Sequence, residues 1–183
     1  MQVIQEQYIL YVSQGGRMNI DNDHMYHGAA LMQIAEHPKF TSINSLKVKK
    51  QIIENGFVIN DGIAVLLKYA SKQTGKYQEY KFGFTLDNIK DMMRISRSTK
   101  SLYLALVCVE SREICCLSYE NCSKLIQRRR AEKGADEDQY QILVTAPKGK
   151  SLRVYVNAPG VKKKLLGEPM IVGRSEFPEM IFG

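Results

Sequence analysis

Residues 102–117, LYLALVCVESREICCL, contain two short apolar runs separated by the polar residues Glu110, Ser111 and Arg112. Runs of this length that are rich in β-branched and aromatic residues are typical of strands, and a short polar connection between them is typical of a hairpin. We therefore predict two adjacent antiparallel strands over 102–109 and 113–117.

The four cysteines lie in and just after this hairpin, at Cys108, Cys115, Cys116 and Cys122. Their spacing, C-x6-C-C-x5-C, does not match the paired C-x2-C arrangement of a zinc site. No secretory signal precedes them, so a reducing cytoplasm is the expected compartment. A cysteine within an apolar strand behaves as a small hydrophobic residue. We predict that the thiols are free and buried.

Helices are predicted on both sides of the hairpin. Thr85 is a capping residue before a helix over about 86–95, and Ser118 is a capping residue before a helix that ends near Arg130. At helical spacing, the side chains predicted to face inward are Ile89, Met92, Met93, Cys122, Leu125 and Ile126.

Three more strands are predicted upstream of Thr85. The segment Tyr80–Phe84 places aromatic residues at alternate positions, as on one face of a strand. Residues 57–59 and 63–69 form a second predicted hairpin around Asn60, Asp61 and Gly62. Asn and Asp tolerate the left-handed backbone that such a turn requires, and Gly adopts it without steric cost.

Two helices are predicted nearer the N-terminus. The first begins at a cap formed by Asn22 or Asp23 and ends at His37, because Pro38 follows. The second is short, covers 45–55 and ends at the pair Asn55-Gly56, which suits a helix C-terminus.

Residues 1–17 have two interpretations, either as an N-terminal extension or as an edge strand. Gln14–Arg17 is followed by Met18, and two glycine codons at this place suit a ribosome-binding sequence. On that hypothesis the native chain begins at Met18 and is bacterial or phage-borne. Alternatively, the apolar Ile9–Val12 is a strand that pairs at the edge of a sheet.

The C-terminal part is predicted to be rich in β-structure. An acidic loop at 132–138 marks an internal boundary, and short strands follow at 141–145, 152–156 and 171–172. The regular β–α–β alternation of a doubly wound parallel sheet is absent. We predict a single α+β domain over 18–183, with a mostly antiparallel sheet and helices packed on one side.

The composition is that of an ordinary globular protein: 183 residues, 44% hydrophobic and 25% charged. No apolar run approaches the ~18 residues that a membrane helix needs, so we expect no membrane association. The net charge of +7 favours polyanionic partners. Basic residues cluster at 47–50, and the candidate nucleic-acid contacts are Lys68, Arg128, Arg129, Arg130, Lys162, Lys163 and Lys164.

The sequence lacks the common catalytic motifs. Phosphate-binding glycine loops, H-E-x-x-H and G-x-S-x-G are not found, so no cofactor is expected. The strongest enzymatic pattern is Asp61 followed by Glu79-Tyr80-Lys81, which resembles the PD-(D/E)xK nuclease motif. This resemblance implies that Asp61 and Glu79 hold Mg²⁺ and that Lys81 orients an attacking water. Otherwise, Glu79 and Lys81 are simply the solvent face of a strand.

Two smaller features also carry hypotheses. His24 and His27 lie three residues apart on one helix and, with Asp21 or Asp23, would make a partial metal site. The preferred interpretation is that the aspartates cap the helix and that the histidine packs, with no metal. Lys68 lies in a strongly apolar strand, where its charge must reach solvent, pair, or meet an anionic partner.

We expect a non-catalytic accessory subunit of a bacterial nucleic-acid-handling complex that binds nucleic acid weakly or binds a protein partner. The apolar C-terminal segment, residues 177–183, is the predicted surface for a partner or for self-association, unless it docks on its own chain. The alternatives are the Mg²⁺-dependent nuclease and a structural homo-oligomer.

Overall fold

The structure, a computed structural model, describes residues 19–161 and 164–183. In chain order the described elements are α1 (Asn22–Ala35), β1 (Ile43–Val48), β2 (Gln51–Ile59), β3 (Ile63–Ala70), β4 (Glu79–Thr85), α2 (Leu86–Ser98), β5 (Ser101–Cys108), β6 (Glu113–Ser118), α3 (Tyr119–Lys133), β7 (Gln139–Thr145), β8 (Leu152–Tyr155), β9 (Met170–Val172) and α4 (Glu179–Phe182). The two hypotheses on residues 1–17, with the proposed start at Met18, and the candidate contacts Lys162 and Lys163 lie outside the described residues.

The α+β single-domain prediction is confirmed, but the strands form two sheets rather than one. The first sheet has five strands in the order β1-β2-β3-β5-β6, and the second has four in the order β4-β7-β8-β9. Every pair is antiparallel except β3 and β5. Parallel neighbours need a crossover connection. Here the chain leaves the first sheet after β3, forms β4 and α2, and returns as β5.

Strand β5 is buried on both faces and separates two cores. Leu102, Leu104, Leu106 and Cys108 face the core between the two sheets. Ala105 and Val107 face a second core that α1 and α4 cover. Coverage of both faces explains why residues 102–108 are apolar without alternation.

The core between the sheets also receives the aromatic face of β4 and the inner stripes of α2 and α3. Its members include Tyr80, Phe82, Phe84, Met92, Ile95, Cys122, Leu125, Ile126, Tyr140, Ile142 and Val144. The sequence predicted most of these correctly. Met93 is the exception on α2, because it is 39% exposed and Ile95 takes the buried position.

The predicted thiols are confirmed as free and buried within the described part of the chain. Burial raises the pKa of Cys108, Cys116 and Cys122 to about 12. A thiol in this environment stays protonated at neutral pH and packs as a hydrophobic group.

The helix caps at Thr85 and Ser118 are confirmed, and each side-chain hydroxyl accepts a hydrogen bond from a backbone N–H three residues later. The predicted cap of α1 is wrong by one or two residues. Asp21 is the N-cap: it accepts a bond from the His24 N–H at 2.9 Å, and the His24 ring accepts the Asp21 N–H. This capping box satisfies two backbone donors at once.

The predicted helix over 45–55 is wrong, because β1 and the start of β2 form a hairpin there. Lys49 and Lys50 make its two-residue turn, with left-handed φ values of 49° and 69°. Gly56 is a strand residue. A Cβ there would lie 3.1 Å from side-chain atoms of Leu46, Ile53 and Leu66. Pairing with β3 and burial of Leu46 outweigh local helix propensity.

The C-terminal segment, residues 177–183, docks on its own chain, which is one of the two arrangements expected for it, and its role as a surface for a partner stays a prediction. Phe177 and Ile181 are 6% and 2% exposed and belong to the second core. His37 bonds to the Glu179 carboxylate at 2.8 Å and stacks on Phe182, with ring centroids 4.0 Å apart. These contacts join the segment to the end of α1.

Among the described helices, no helix is both long enough and apolar enough to cross a bilayer.

Replacing a side chain in the central strand tests the two-core arrangement. Leu106 is fully buried, so Leu106→Ala should lower the free energy of unfolding by about 2–5 kcal/mol. Glu132→Ala, at an exposed position of α3, should change it by less than ~0.5 kcal/mol. Urea unfolding followed by circular dichroism measures both. Equal losses for the two variants would contradict the assigned core.

Candidate functional site

A cleft opens where β2 separates from β3. The two strands pair only between Gly56–Ile59 and Ile63–Leu66. Asn55, just before this region, has a left-handed backbone with φ 54°, and the β1–β2 register shifts near the same place. A bulge bends a strand and interrupts its pairing. Beyond it, in the described part of the chain, β3 has no strand partner on the β2 side.

The cleft has a volume of ≈ 530 Å³ and three walls. Gln51–Asn55 of β2 form one wall, and Leu66–Tyr69 of β3 form the second. The third wall combines Lys81–Phe84 of β4 with Asn88 and Asp91 of α2. The cleft therefore lies where the two sheets meet α2. Its size is within the usual range for ligand sites.

Lys68 is the central charged group of this cleft. Its side chain is half-buried, and its Nζ lies 5.2 Å from the centroid of the Phe84 ring, a cation–π distance. Burial lowers the pKa of Lys68, and the nearby carboxylate of Glu54 opposes that shift. Within residues 19–161 and 164–183 its ammonium group has no hydrogen bond and no ion pair.

A polar cluster lies on the α1 side of the cleft. The Asn55 amide donates a long hydrogen bond of 3.5 Å to Asp23. His27 is 5% exposed. Its ring packs edge-on against the Tyr69 ring, with the ring centroids 5.4 Å apart. Burial lowers the pKa of His27, so the imidazole is neutral at neutral pH. Its Nε2 is buried with no hydrogen-bond partner among the described residues.

The remaining charges of the cleft are only partly paired. Asp91 forms an ion pair with Arg94 at 3.1 Å, outside the β2–β3 gap. Lys81 and Glu54 are exposed at the rim and have no ion pair in the part of the chain that the structure describes. Two amines, Lys68 and Lys81, thus contribute to the lining of one cleft. Each ammonium group can attract an anion bound nearby.

The histidines near the hypothesised metal site each have a different set of contacts. His24 belongs to the Asp21 capping box, His27 is buried against Tyr69, and His37 bonds to Glu179. In residues 19–161 and 164–183, no group of three or more His, Cys, Asp or Glu side chains is arranged to hold a metal.

The nuclease-like triad is not brought together either. Asp61 lies in the turn before β3, beside the start of β5, where the Lys100 N–H donates to the Gly62 carbonyl. Glu79 pairs with Thr74, beyond the other end of β3. The eight residues of β3 span about 26 Å, and the two carboxylates lie near opposite ends of that strand. Only Lys81 of the three lines the cleft.

Glu79 instead has a structural partner. Its carboxylate accepts a hydrogen bond of 2.6 Å from the Tyr155 hydroxyl, and Glu79 itself is 8% exposed. Burial and this carboxylate both raise the pKa of Tyr155. The outer face of β4 is therefore partly covered, which the strand pattern did not indicate.

The three consecutive arginines all make contacts within the chain. Arg129 donates two hydrogen bonds to Glu137, one at 2.8 Å, and a third to the Asn157 carbonyl at 2.6 Å. Arg128 donates to the carbonyls of Leu166 and Glu168 at 3.2 and 3.4 Å. Arg130 pairs with Asp136. Arg128 and Arg130 are nevertheless exposed, as is Lys164, and the role of these residues as nucleic-acid contacts stays a prediction.

A second cavity, of ≈ 380 Å³, lies on the outer face of the second sheet. Tyr77, Gln78, Arg153 and Tyr155 contribute its polar groups, and apolar walls come from Ala146, Pro147, Leu165 and Pro169. Tyr155, on the floor of this cavity, is 3% exposed, whereas Tyr80 and Phe82 of β4 point into the core. Tyr77 is 46% exposed.

Glu54 and Asn55 are the site residues that the sequence did not identify, because residues 45–55 were predicted as a helix. The signal for them is the Asn55-Gly56 pair inside an apolar run, since a turn-forming pair within a strand marks a bulge. Lys68, by contrast, was identified from its place in an apolar strand.

Comparison with known proteins finds no matching family model, no matching curated protein and no matching solved structure.

The contact between Arg129 and Glu137 should make the stability of the fold depend on pH. Hydrogen bonds from Arg129 lower the pKa of Glu137 from 4.5 to about 2. A depressed carboxyl pKa stabilises the fold above about pH 4.5, and this contribution is lost as the pH falls toward 2. Glu137→Gln should therefore destabilise the protein at pH 6 and much less at pH 3.

Urea unfolding at these two pH values measures the effect, and Glu132→Gln, an exposed carboxylate on the same helix end, is the control. If both variants show the same pH dependence, the Arg129–Glu137 contact does not form in solution.

Proposed function

We propose that this chain is a nucleic-acid-binding accessory subunit and that one phosphate-bearing strand lies in the cleft between β2, β3 and β4. The observation that carries the proposal is the half-buried Lys68 ammonium, which has no ion pair in the described part of the chain. A partly desolvated charge is costly unless an opposite charge compensates it. A bound phosphate would supply that charge.

The position of Lys81 supports a phosphate ligand over a neutral one. Lys81 also lines the cleft, on the wall formed by β4, and supplies a second positive charge near the bound anion. Lysines bind phosphate as point charges and do not read base sequence. The proposed binding is therefore tolerant of sequence.

The acidic groups of the cleft limit the expected affinity for nucleic acid. Three carboxylates, those of Asp23, Glu54 and Asp91, line it with two lysines, and Asp91 is paired with Arg94, so the local field is mixed even though the chain carries +7. Binding by the isolated chain is then weak, in the ~10⁻⁴–10⁻⁶ M range of non-specific contacts at physiological salt. A larger complex would add affinity by linking this site to others.

The proposed setting is a reducing compartment such as the bacterial cytoplasm. Four free, buried thiols in the described structure support it, because disulfides are rare under reducing conditions.

A charge-matched pair of variants tests the cleft. Lys68→Gln combined with Lys81→Gln removes two positive charges from the walls, and the control Lys100→Gln combined with Lys124→Gln removes two from exposed positions that do not line the cleft. Fluorescence anisotropy with a labelled single-stranded 20-mer, at 50 and 200 mM NaCl, measures affinity and its salt dependence.

We expect binding by the unmodified chain to weaken steeply with salt. Each lost phosphate contact reduces the slope of log K against log salt by about 0.7 for a single strand, so the cleft variant should lose about 1.4. The control should keep the unmodified slope. Equal slopes for both double variants, or salt-insensitive binding, would contradict the proposal.

A further inference from the structure

The second cavity has the composition of a pocket for a flat, uncharged ring next to an anion. Tyr77 offers an exposed aromatic face, and four apolar residues, Ala146, Pro147, Leu165 and Pro169, line the space around it. Arg153 is exposed at the cavity and has no ion pair or hydrogen bond among the described residues. One aromatic face and one available guanidinium thus share a single opening.

The floor of this cavity is held rigidly. The Tyr155 hydroxyl donates to the buried Glu79 at 2.6 Å, and Tyr155 also lies beside Leu143 in the register of β7 and β8. The backbones of Glu79 and Thr74 form two hydrogen bonds: the Thr74 N–H donates to the Glu79 carbonyl at 2.9 Å, and the Glu79 N–H donates to the Thr74 carbonyl at 3.0 Å. This pair closes the turn that carries Tyr77. The backbone of the turn that carries Tyr77 is therefore anchored to a buried hydrogen bond, and an ordered backbone lowers the ordering cost of binding.

The cavity lies on the outer face of β4, whereas the cleft opens on its inner face beside Phe82 and Phe84, and Lys81 at the edge of the strand links the two. Glu79 and Lys81 are two residues apart on one strand, so their side chains project to the same side, about 7 Å apart. Glu79 contacts the floor of the cavity, and Lys81 lines the cleft. A ligand that leaves the cleft past Lys81 reaches Tyr77 within a short distance.

We propose that this cavity takes one unstacked base of a single-stranded nucleic acid, with the base on Tyr77 and a neighbouring phosphate on Arg153. This inference rests on the proposed function, since the strand is the one that occupies the cleft. Aromatic side chains bind bases by stacking, and every base has a π-face for it. A base within a duplex is already paired and stacked, and its extrusion costs free energy. The site therefore selects single strands over duplexes.

The test separates base binding from phosphate binding with two short strands of equal length. One is a labelled pentanucleotide in which 2-aminopurine is the only base and the other positions are abasic. The second is fully abasic. Stacking quenches 2-aminopurine fluorescence, so one titration reports occupancy of the pocket, and anisotropy reports total binding.

The unmodified chain should quench 2-aminopurine and bind the base-bearing strand about tenfold more tightly than the abasic one, as expected for one stacked base. Tyr77→Leu should abolish both the quenching and the preference. The matched control Tyr77→Phe keeps the ring and should retain both. Because Tyr77 is exposed, neither variant should alter the fold, which circular dichroism checks.

The outcomes distinguish this inference from the proposed function. If the two strands bind equally and Tyr77→Leu changes neither signal, the base pocket is refuted while salt-dependent binding through Lys68 and Lys81 stands. If neither strand binds, or if the double lysine variant binds both as tightly as the unmodified chain, the proposed function is refuted and the pocket with it. A duplex that binds as tightly as the single strand refutes the selectivity. Displacement of the strand by a peptide with a C-terminal aromatic residue, at equal concentration, refutes the assignment of the pocket to a base.

Discussion

The fold depends on burial of β5 on both faces. Its even-numbered side chains from Leu102 to Cys108 face one core, and its odd-numbered side chains Ala105 and Val107 face the other. A strand with two apolar faces is stable only when layers cover both. The second sheet with α2 and α3 covers one face, and α1 with the C-terminal segment covers the other. The helices and strands of these layers each bury the side that packs toward β5.

The parallel pairing of β3 with β5 is the second constraint, and it determines where the cleft forms. The crossover between the two strands must travel over one face of the sheet, and β4 and α2 form that path. The crossover brings the Phe84 ring against Lys68 and places Lys81 in the lining of the same cleft. With β2 bent away at Asn55, the gap between β2 and β3 remains open to solvent. The cleft is thus a product of strand connection rather than of any contiguous motif.

The number of basic residues in the chain does not show which of them are unpaired and can bind an anion. The chain carries 26 basic residues, yet one of its two runs of three consecutive basic residues, Arg128–Arg130, contacts Glu137, Asp136 and backbone carbonyls. These contacts fasten α3 to the segments that follow it. Single lysines in less conspicuous contexts, Lys68 and Lys81, face the open cleft instead. Local charge density is a weak indicator of a binding surface because a neighbouring carboxylate can neutralise it.

The sequence by itself determined the fold class, the two hairpins around 60–62 and 110–112, the caps at Thr85 and Ser118, the buried thiols and the unusual place of Lys68. All of these depend on near neighbours in the chain: alternation, turn chemistry, capping and apolar runs. Only the tertiary structure decided that 45–55 is a hairpin, that Phe177 and Ile181 close a core, that Arg129 binds Glu137, and that Asp61 and Glu79 lie far apart. These outcomes depend on contacts between residues distant in sequence, whose free energy outweighs local propensity and leaves no local pattern.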